Sequence, residues 1–158
     1  EICDPHCVEP TVGSIKGLGL LNMRTVLEEE KTTTRVAGHI NADFLNMGLS
    51  GSAITGYEIH MGETTPIDDT KSFSTLEDGR SDGAVSADGT VMGTYLHGVF
   101  DNDAFREKLI ETLKKKKNIA AESEAVDFKA FKEEQYDLLA ETVENNLDMQ
   151  KLMEIIGV

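Results

Sequence analysis

Long apolar runs, an excess of basic residues and separated cysteine pairs are all missing from this chain, and each absence closes off a class of function. No apolar stretch approaches the roughly 20 residues that cross a bilayer. The N-terminus lacks the charged start and apolar run of a signal peptide. A cytoplasmic location with no membrane partner is therefore expected. Lys and Arg number 15 against 29 Asp and Glu, a net charge of -14. That balance argues against nucleic acid, because phosphate binding needs clustered cations. The one basic run, Lys114 to Lys117, falls at the end of a predicted helix, where cations complement the helix dipole. Only two cysteines occur, Cys3 and Cys7, and a disulfide between them would close too small a loop to stabilise much, so reduced thiols are expected. Cys3-Asp4-Pro5-His6-Cys7 superficially suggests zinc, but no second ligand pair follows, so no metal is expected. Neither cysteine has the flanking glycines of a sharp strand-to-helix nucleophile turn. Gly17-Leu18-Gly19 lacks the third glycine of a dinucleotide fingerprint. Internal repeats and low-complexity tracts are absent as well.

What remains is ordinary for a globular chain: 158 residues, 39% hydrophobic and 28% charged, enough for one domain with a real core. Glu1-Ile2 reads as the last turn of a helix that begins upstream. Leu20 to Leu27, Thr32 to Ile40 and Ile54 to Met61 read as strands, the second rich in β-branched residues. Residues 62 to 71 read as a polar loop. Ser72 to Leu76 and Gly83 to Ser86 are short strands around a polar turn, Glu77 to Asp82. Ala87-Asp88-Gly89-Thr90 is a hairpin turn leading into a strand over Val91 to Leu96. Phe100 to Asp103 supplies a cap and staple for a helix whose apolar face is Phe105, Leu109, Ile110 and Leu113. A polar linker from Asn118 to Val126 precedes a second amphipathic helix and a short terminal one. Strands first and helices after indicate a sheet with helical cover, read alone as α+β, or as the back half of an α/β domain.

Two motifs concentrate the chemistry, Gly56-Tyr57-Glu58-Ile59-His60-Met61-Gly62 and Gly93-Thr94-Tyr95-Leu96-His97-Gly98-Val99-Phe100. Each runs alternating apolar residues into a histidine bracketed by glycine, the pattern of a strand ending at a functional edge. A neutral histidine there can take a proton near pH 7 and return it later. Taken alone, His97 is as readily a satisfied histidine capping a strand. Glu58 and His60 share a strand face and can be a structural hydrogen-bonded pair. His39, mid-strand beside Gly38, reads as structural.

These motifs, with Gly17-Leu18-Gly19-Leu20-Leu21, Asp82-Gly83-Ala84-Val85 and Tyr136-Asp137-Leu138-Leu139-Ala140, resemble the glutamine amidotransferase domain of the cobyric acid synthase family, in the right order over nearly the whole chain. The resemblance implies a class I-type, flavodoxin-like three-layer α/β fold. Residues 1–158 would be the back half of a single such domain, a mixed sheet with C-terminal helices. It implies that a cysteine on an elbow, just before residue 1, attacks the side-chain amide of glutamine. It implies that His97 is the catalytic histidine, its ring expected to face a cleft near the start of the chain, within reach of that cysteine. Relatives follow that histidine with proline and glutamate in the ordinary class I enzymes; here Gly98 and Val99 stand instead, which leaves Glu58 and Asp101 as candidates to orient His97, with His60 and Tyr57 as further supporting residues. Glutamine is the implied partner, together with a separate synthetase domain that binds ATP, Mg and a corrinoid whose carboxylates are amidated in cobalamin synthesis. No cofactor is expected in these residues themselves, and without its cysteine the chain is expected to be inactive alone. Three alternatives remain: a cobyrinic acid diamide synthase-type amidotransferase, a non-hydrolysing binding module of the same fold, and a metal-dependent hydrolase using His60, His97 and acidic residues. If neighbouring strands are absent, an interior sheet edge is exposed, and the chain is expected either to associate through it as a symmetric homodimer or to stay dispersed only through its net charge of -14.

Overall fold

A β-branched run, Thr32-Thr33-Thr34-Arg35-Val36, builds the longest strand, and the rest of the fold is arranged around it. The structure is a computed structural model that describes residues 1–9, 13–120 and 126–157. It divides into two units, residues 1–121 and 122–158.

In the first unit the strands are β1 (Ile2–Cys3), β2 (Ser14–Ile15), β3 (Met23–Val26), β4 (Thr32–Ile40), β5 (Ala53–His60), β6 (Glu63–Pro66), β7 (Ser74–Leu76), β8 (Ser81–Asp82), β9 (Ala84–Val85), β10 (Met92–Gly93) and β11 (Leu96–His97). They form a four-stranded sheet in the order β2-β1-β3-β6, a five-stranded sheet in the order β11-β5-β4-β7-β8, and the two-stranded pair β10-β9. The first sheet is mixed, since β1 runs parallel to β3, and the second is antiparallel throughout. Helix α1 (Asp103–Lys117) follows, and the four lysines of the basic run occupy its last turn. The second unit holds α2 (Phe128–Asn146) and α3 (Met149–Ile156), whose N-caps Asp127 and Asp148 each accept a backbone N–H three residues on.

β4 and β5 pair from Thr32 opposite His60 to His39 opposite Ala53. Their shared inner face carries Ile40 and Ile54 into a core completed by Phe73, Leu76, Val85, Leu96, Val99 and Phe105. Phe73 is fully buried and meets Phe105 of α1 edge to face at 5.9 Å. Gly38 allows β7 to close on β4, because a Cβ there would stand 2.3 Å from the Thr75 carbonyl oxygen.

Several expectations are corrected. The opening residues form a strand, not a helical turn, because Ile2 and Cys3 pair with Thr25 and Val26. The polar stretch 62 to 71 contains β6, whose residues alternate against β3 from Val26–Glu63 to Met23–Pro66. The turn 77 to 82 ends in β8. Val91 to Leu96 is not one strand: it breaks at Thr94 and Tyr95, leaving β10 and β11 in different sheets. Asn102 is the N-cap of α1, but its amide makes no capping bond. It accepts the Thr55 backbone N–H at 3.0 Å and donates to the Thr55 carbonyl at 2.9 Å, tying the helix start to β5. The linker expected over Asn118 to Val126 lies in part outside the described residues. The hairpin turn is as expected, with Gly89 at φ +69° donating to the Ser86 carbonyl at 2.8 Å.

Candidate active site

Strand alternation separates the two histidines that the sequence singles out. Leu96 stands opposite Glu58, and His97 opposite Tyr57. Glu58, His60 and Leu96 therefore share the inner face, while Tyr57 and His97 share the outer one. Leu96 sinks into the core and His97 stays exposed. Gly56 brings β11 this close, since a Cβ on it would lie 2.5 Å from the His97 carbonyl oxygen.

On the inner face Glu58 is buried and fully engaged. Arg80 grips it with both terminal nitrogens, at 2.7 and 2.8 Å, and donates from Nε to Asp78 at 2.8 Å. The Arg80 fork, and secondly the His60 N–H, hold the Glu58 carboxyl below its ordinary value of 4.5, against the opposing effect of burial. The same bonds to Glu58 and Asp78 raise the Arg80 guanidinium further above its usual range. His60 Nε2 stands 3.0 Å from Glu58 Oε1, and Nδ1 stands 2.7 Å from the Gly62 carbonyl. The Tyr95 ring lies 5.0 Å from the His60 ring, and its hydroxyl meets Thr64 Oγ1 at 2.7 Å. These groups line a hollow of about 480 Å³.

His97 belongs to a different hollow, of about 540 Å³, lined by apolar side chains including Met92, Phe100, Leu109 and Leu113. No hydrogen bond is made by its ring among the described residues, so both ring nitrogens are open to a reacting group. Its position at the end of β11 is as expected. The expectation that its cleft faces the start of the chain is not met, because none of the described residues before Phe44 lines that hollow. His60 is the histidine that shares a hollow with the N-terminal segment, together with His6, Glu28 and Thr32.

Glu58 is also corrected as a group to orient His97: it projects from the opposite face and is held by Arg80 and His60. Asp101 follows His97 in the turn Val99–Asp101, with its Oδ2 3.7 Å from where a Gly98 Cβ would sit. Tyr57, half exposed, flanks His97 across the β5–β11 pair. The His60–Glu58 contact matches the structural pair read from the motif. Arg80 was missed; the signal available for it was the carboxylate at an inward strand position, which requires a cation, and the Asp78-Gly79 turn that delivers one. The thiols stand elsewhere: Cys3 is buried with the Arg24 Nε and Nη2 at 3.4 Å, and Cys7 is exposed. Among the described residues no three His, Cys, Asp or Glu side chains gather to hold a metal ion.

Comparison with known proteins decides the family. A model described as a CobB/CobQ-like glutamine amidotransferase domain matches residues 1–105. This chain belongs to the CobB/CobQ-like glutamine amidotransferase family. It is 41% identical to the cobyric acid synthase of Thermoanaerobacter sp. (strain X514) over 163 aligned positions, covering 98% of this chain and 32% of that protein. The corresponding protein of Clostridium botulinum (strain Okra / Type B1) is 41% identical over 164 positions, covering 100% of this chain and 32% of its own length. The chain thus spans about a third of the length of the relatives it matches. The glutamine amidotransferase family places the mixed sheet and the helices in the class I-like α/β fold. No described helix is long and apolar enough to cross a membrane.

Proposed function

We propose that this amidotransferase segment is the glutamine-hydrolysing portion of a cobyric acid synthase, serving cobalamin synthesis in the cytoplasm. The observation that carries the reading is the placement of His97 on an exposed strand end, with an unengaged ring, inside a segment that matches the family model. Residues 1–158 are read as the later part of one amidotransferase domain. The nucleophilic cysteine, on an elbow outside these residues, gives its proton to His97. Its thiolate adds to the side-chain amide carbon of glutamine, and His97 returns the proton to the leaving nitrogen as ammonia departs. Water then cleaves the thioester to glutamate and restores the thiol. ATP and Mg belong to the synthetase domain, where ammonia amidates carboxylates of a corrinoid. Tyr57 and Asp101 are the neighbours proposed to bound and orient the His97 ring. On this reading the 158-residue chain alone does not hydrolyse glutamine.

The test uses the longer polypeptide supplied with either glutamine or an ammonium salt. His97→Ala is expected to lose glutamine-dependent amidation and to keep ammonium-dependent amidation. Equal loss of both would contradict the assignment, as would retention of both; a parent that amidates with ammonium but not with glutamine would favour a module that does not hydrolyse glutamine. A cobyrinic acid diamide synthase-type enzyme would pass the same test but amidate a different corrinoid. A homodimer of the chain through a sheet edge, such as β2 with its exposed Ile15, belongs to the same reading. Light scattering that reports a monomer at low and at high salt would contradict it.

A further inference from the structure

The break between β10 and β11 is where His97 is aimed. Thr94 and Tyr95 lie between the two strands: the Tyr95 carbonyl accepts the Ile59 N–H of β5 at 3.3 Å, but the Tyr95 backbone N–H has no strand partner. Asp82 supplies one. Its Oδ1 accepts the Tyr95 N–H at 3.0 Å, and its Oδ2 accepts a short bond from the Thr94 hydroxyl. Thr94 Oγ1 in turn accepts the Leu96 backbone N–H at 2.9 Å. Asp82 is 5% exposed, and a third contact, from the Ser74 hydroxyl at 3.5 Å, seats the carboxylate from β7. Gly83 permits the approach: it sits at φ +66°, and a Cβ there would meet the Gly93 carbonyl oxygen at 2.2 Å. A buried carboxylate thus holds the N–H side of the segment that leads into His97, opposite the carbonyl side held by β5.

We propose that Asp82, acting through the Thr94 hydroxyl, is a positioning residue that sets the direction of the His97 side chain. The pair fixes the backbone at Tyr95 and Leu96, and β11 is only two residues long, so few ladder bonds share in setting its start. A buried, charge-assisted set of this kind holds one geometry rather than several. The role rests on the proposed function only in its consequence for glutamine hydrolysis; its consequence for the His97 ring does not depend on that reading.

Both consequences can be measured. Thr94→Val keeps the shape of the side chain and removes the hydroxyl, Thr94→Ser keeps the hydroxyl, and Asp82→Asn keeps the volume and removes the charge. In the 158-residue chain, Thr94→Val is expected to shift the His97 ring resonance and leave the His39 ring, on β4, unmoved. Amide exchange at Leu96 should rise about ten-fold over exchange in β4, as one local contact opens. Thr94→Ser should match the parent. In the longer polypeptide, Thr94→Val should lower kcat for glutamate release about ten- to a hundred-fold with little change in KM, as misplacement of a reacting group does. Asp82→Asn should change the same observables in the same direction, and it decides the question if Thr94→Val does not fold. An unmoved His97 resonance with unchanged kcat would overturn the proposal, as would His97 and His39 shifting together or Thr94→Ser failing to restore the parent. If His97→Ala stops glutamate release and Thr94→Val does not, the positioning role alone falls. If His97→Ala leaves release intact, the functional reading falls and takes the catalytic consequence with it.

Discussion

The two faces of β5 carry opposite chemistry although they alternate residue by residue. On the inner face Glu58 and His60 have their polar atoms occupied, by Arg80, by the Gly62 carbonyl and by each other. On the outer face Tyr57 stands half exposed beside His97, whose ring nitrogens are bonded to nothing among the described residues. A side chain with several fixed partners holds the frame and is costly to disturb. A side chain meant to accept and return a proton must keep a nitrogen available for it. The contrast between these neighbours, on one pair of strands, supports the proposal that the inner face serves stability and the outer one reactivity.

The largest effect that tests this division is on stability. Glu58→Ala strips Arg80 and His60 of their shared acceptor and should destabilise the chain by about 2 kcal/mol, less than for a fully buried ion pair because Arg80 is half exposed. His97→Ala, which removes an exposed ring, should change stability by less than about 0.5 kcal/mol. Denaturant unfolding of the two variants compares them directly, and equal losses would break the division between the faces.

A smaller effect sharpens it through pH. The Arg80 fork and the His60 N–H lower the folded pKa of Glu58 below 4.5. A carboxylate lowered in this way adds stability above its unfolded pKa, and that increment is lost as the pH falls through the folded value. The gap in Tm between the parent and Glu58→Gln should therefore be full at neutral pH and close progressively below about 4.5. A gap that widens on acidification would show that Glu58 is not the stabilised carboxylate. For His97→Ala the gap should stay near zero over the same acid range.

Much of this frame is legible in the sequence because its signals are local. The β-branched run of Thr32 to Ile40 coincides with β4, the alternation ending at His60 marks β5, and Asp88-Gly89 marks the hairpin. The Glu58–His60 pair follows from strand spacing alone. What escaped depends on partners distant in the chain. β6 is polar and ends at Pro66, yet it forms because β3 offers it a ladder. The break at Thr94 and Tyr95 is set by a carboxylate twelve residues earlier. The separation of His97 from Glu58 required the register of β11 on β5, which no single strand reveals.

The central claim is that His97, and not His60, is the histidine that moves the proton. The direct measurement is the rate of glutamate release from glutamine by the longer polypeptide carrying His97→Ala or His60→Ala, with folding of each checked beforehand. The account predicts a loss of about a hundred-fold or more for His97→Ala, the scale of a lost general acid–base group, and less than about ten-fold for His60→Ala. A near-parental rate for His97→Ala together with abolished release for His60→Ala would contradict it.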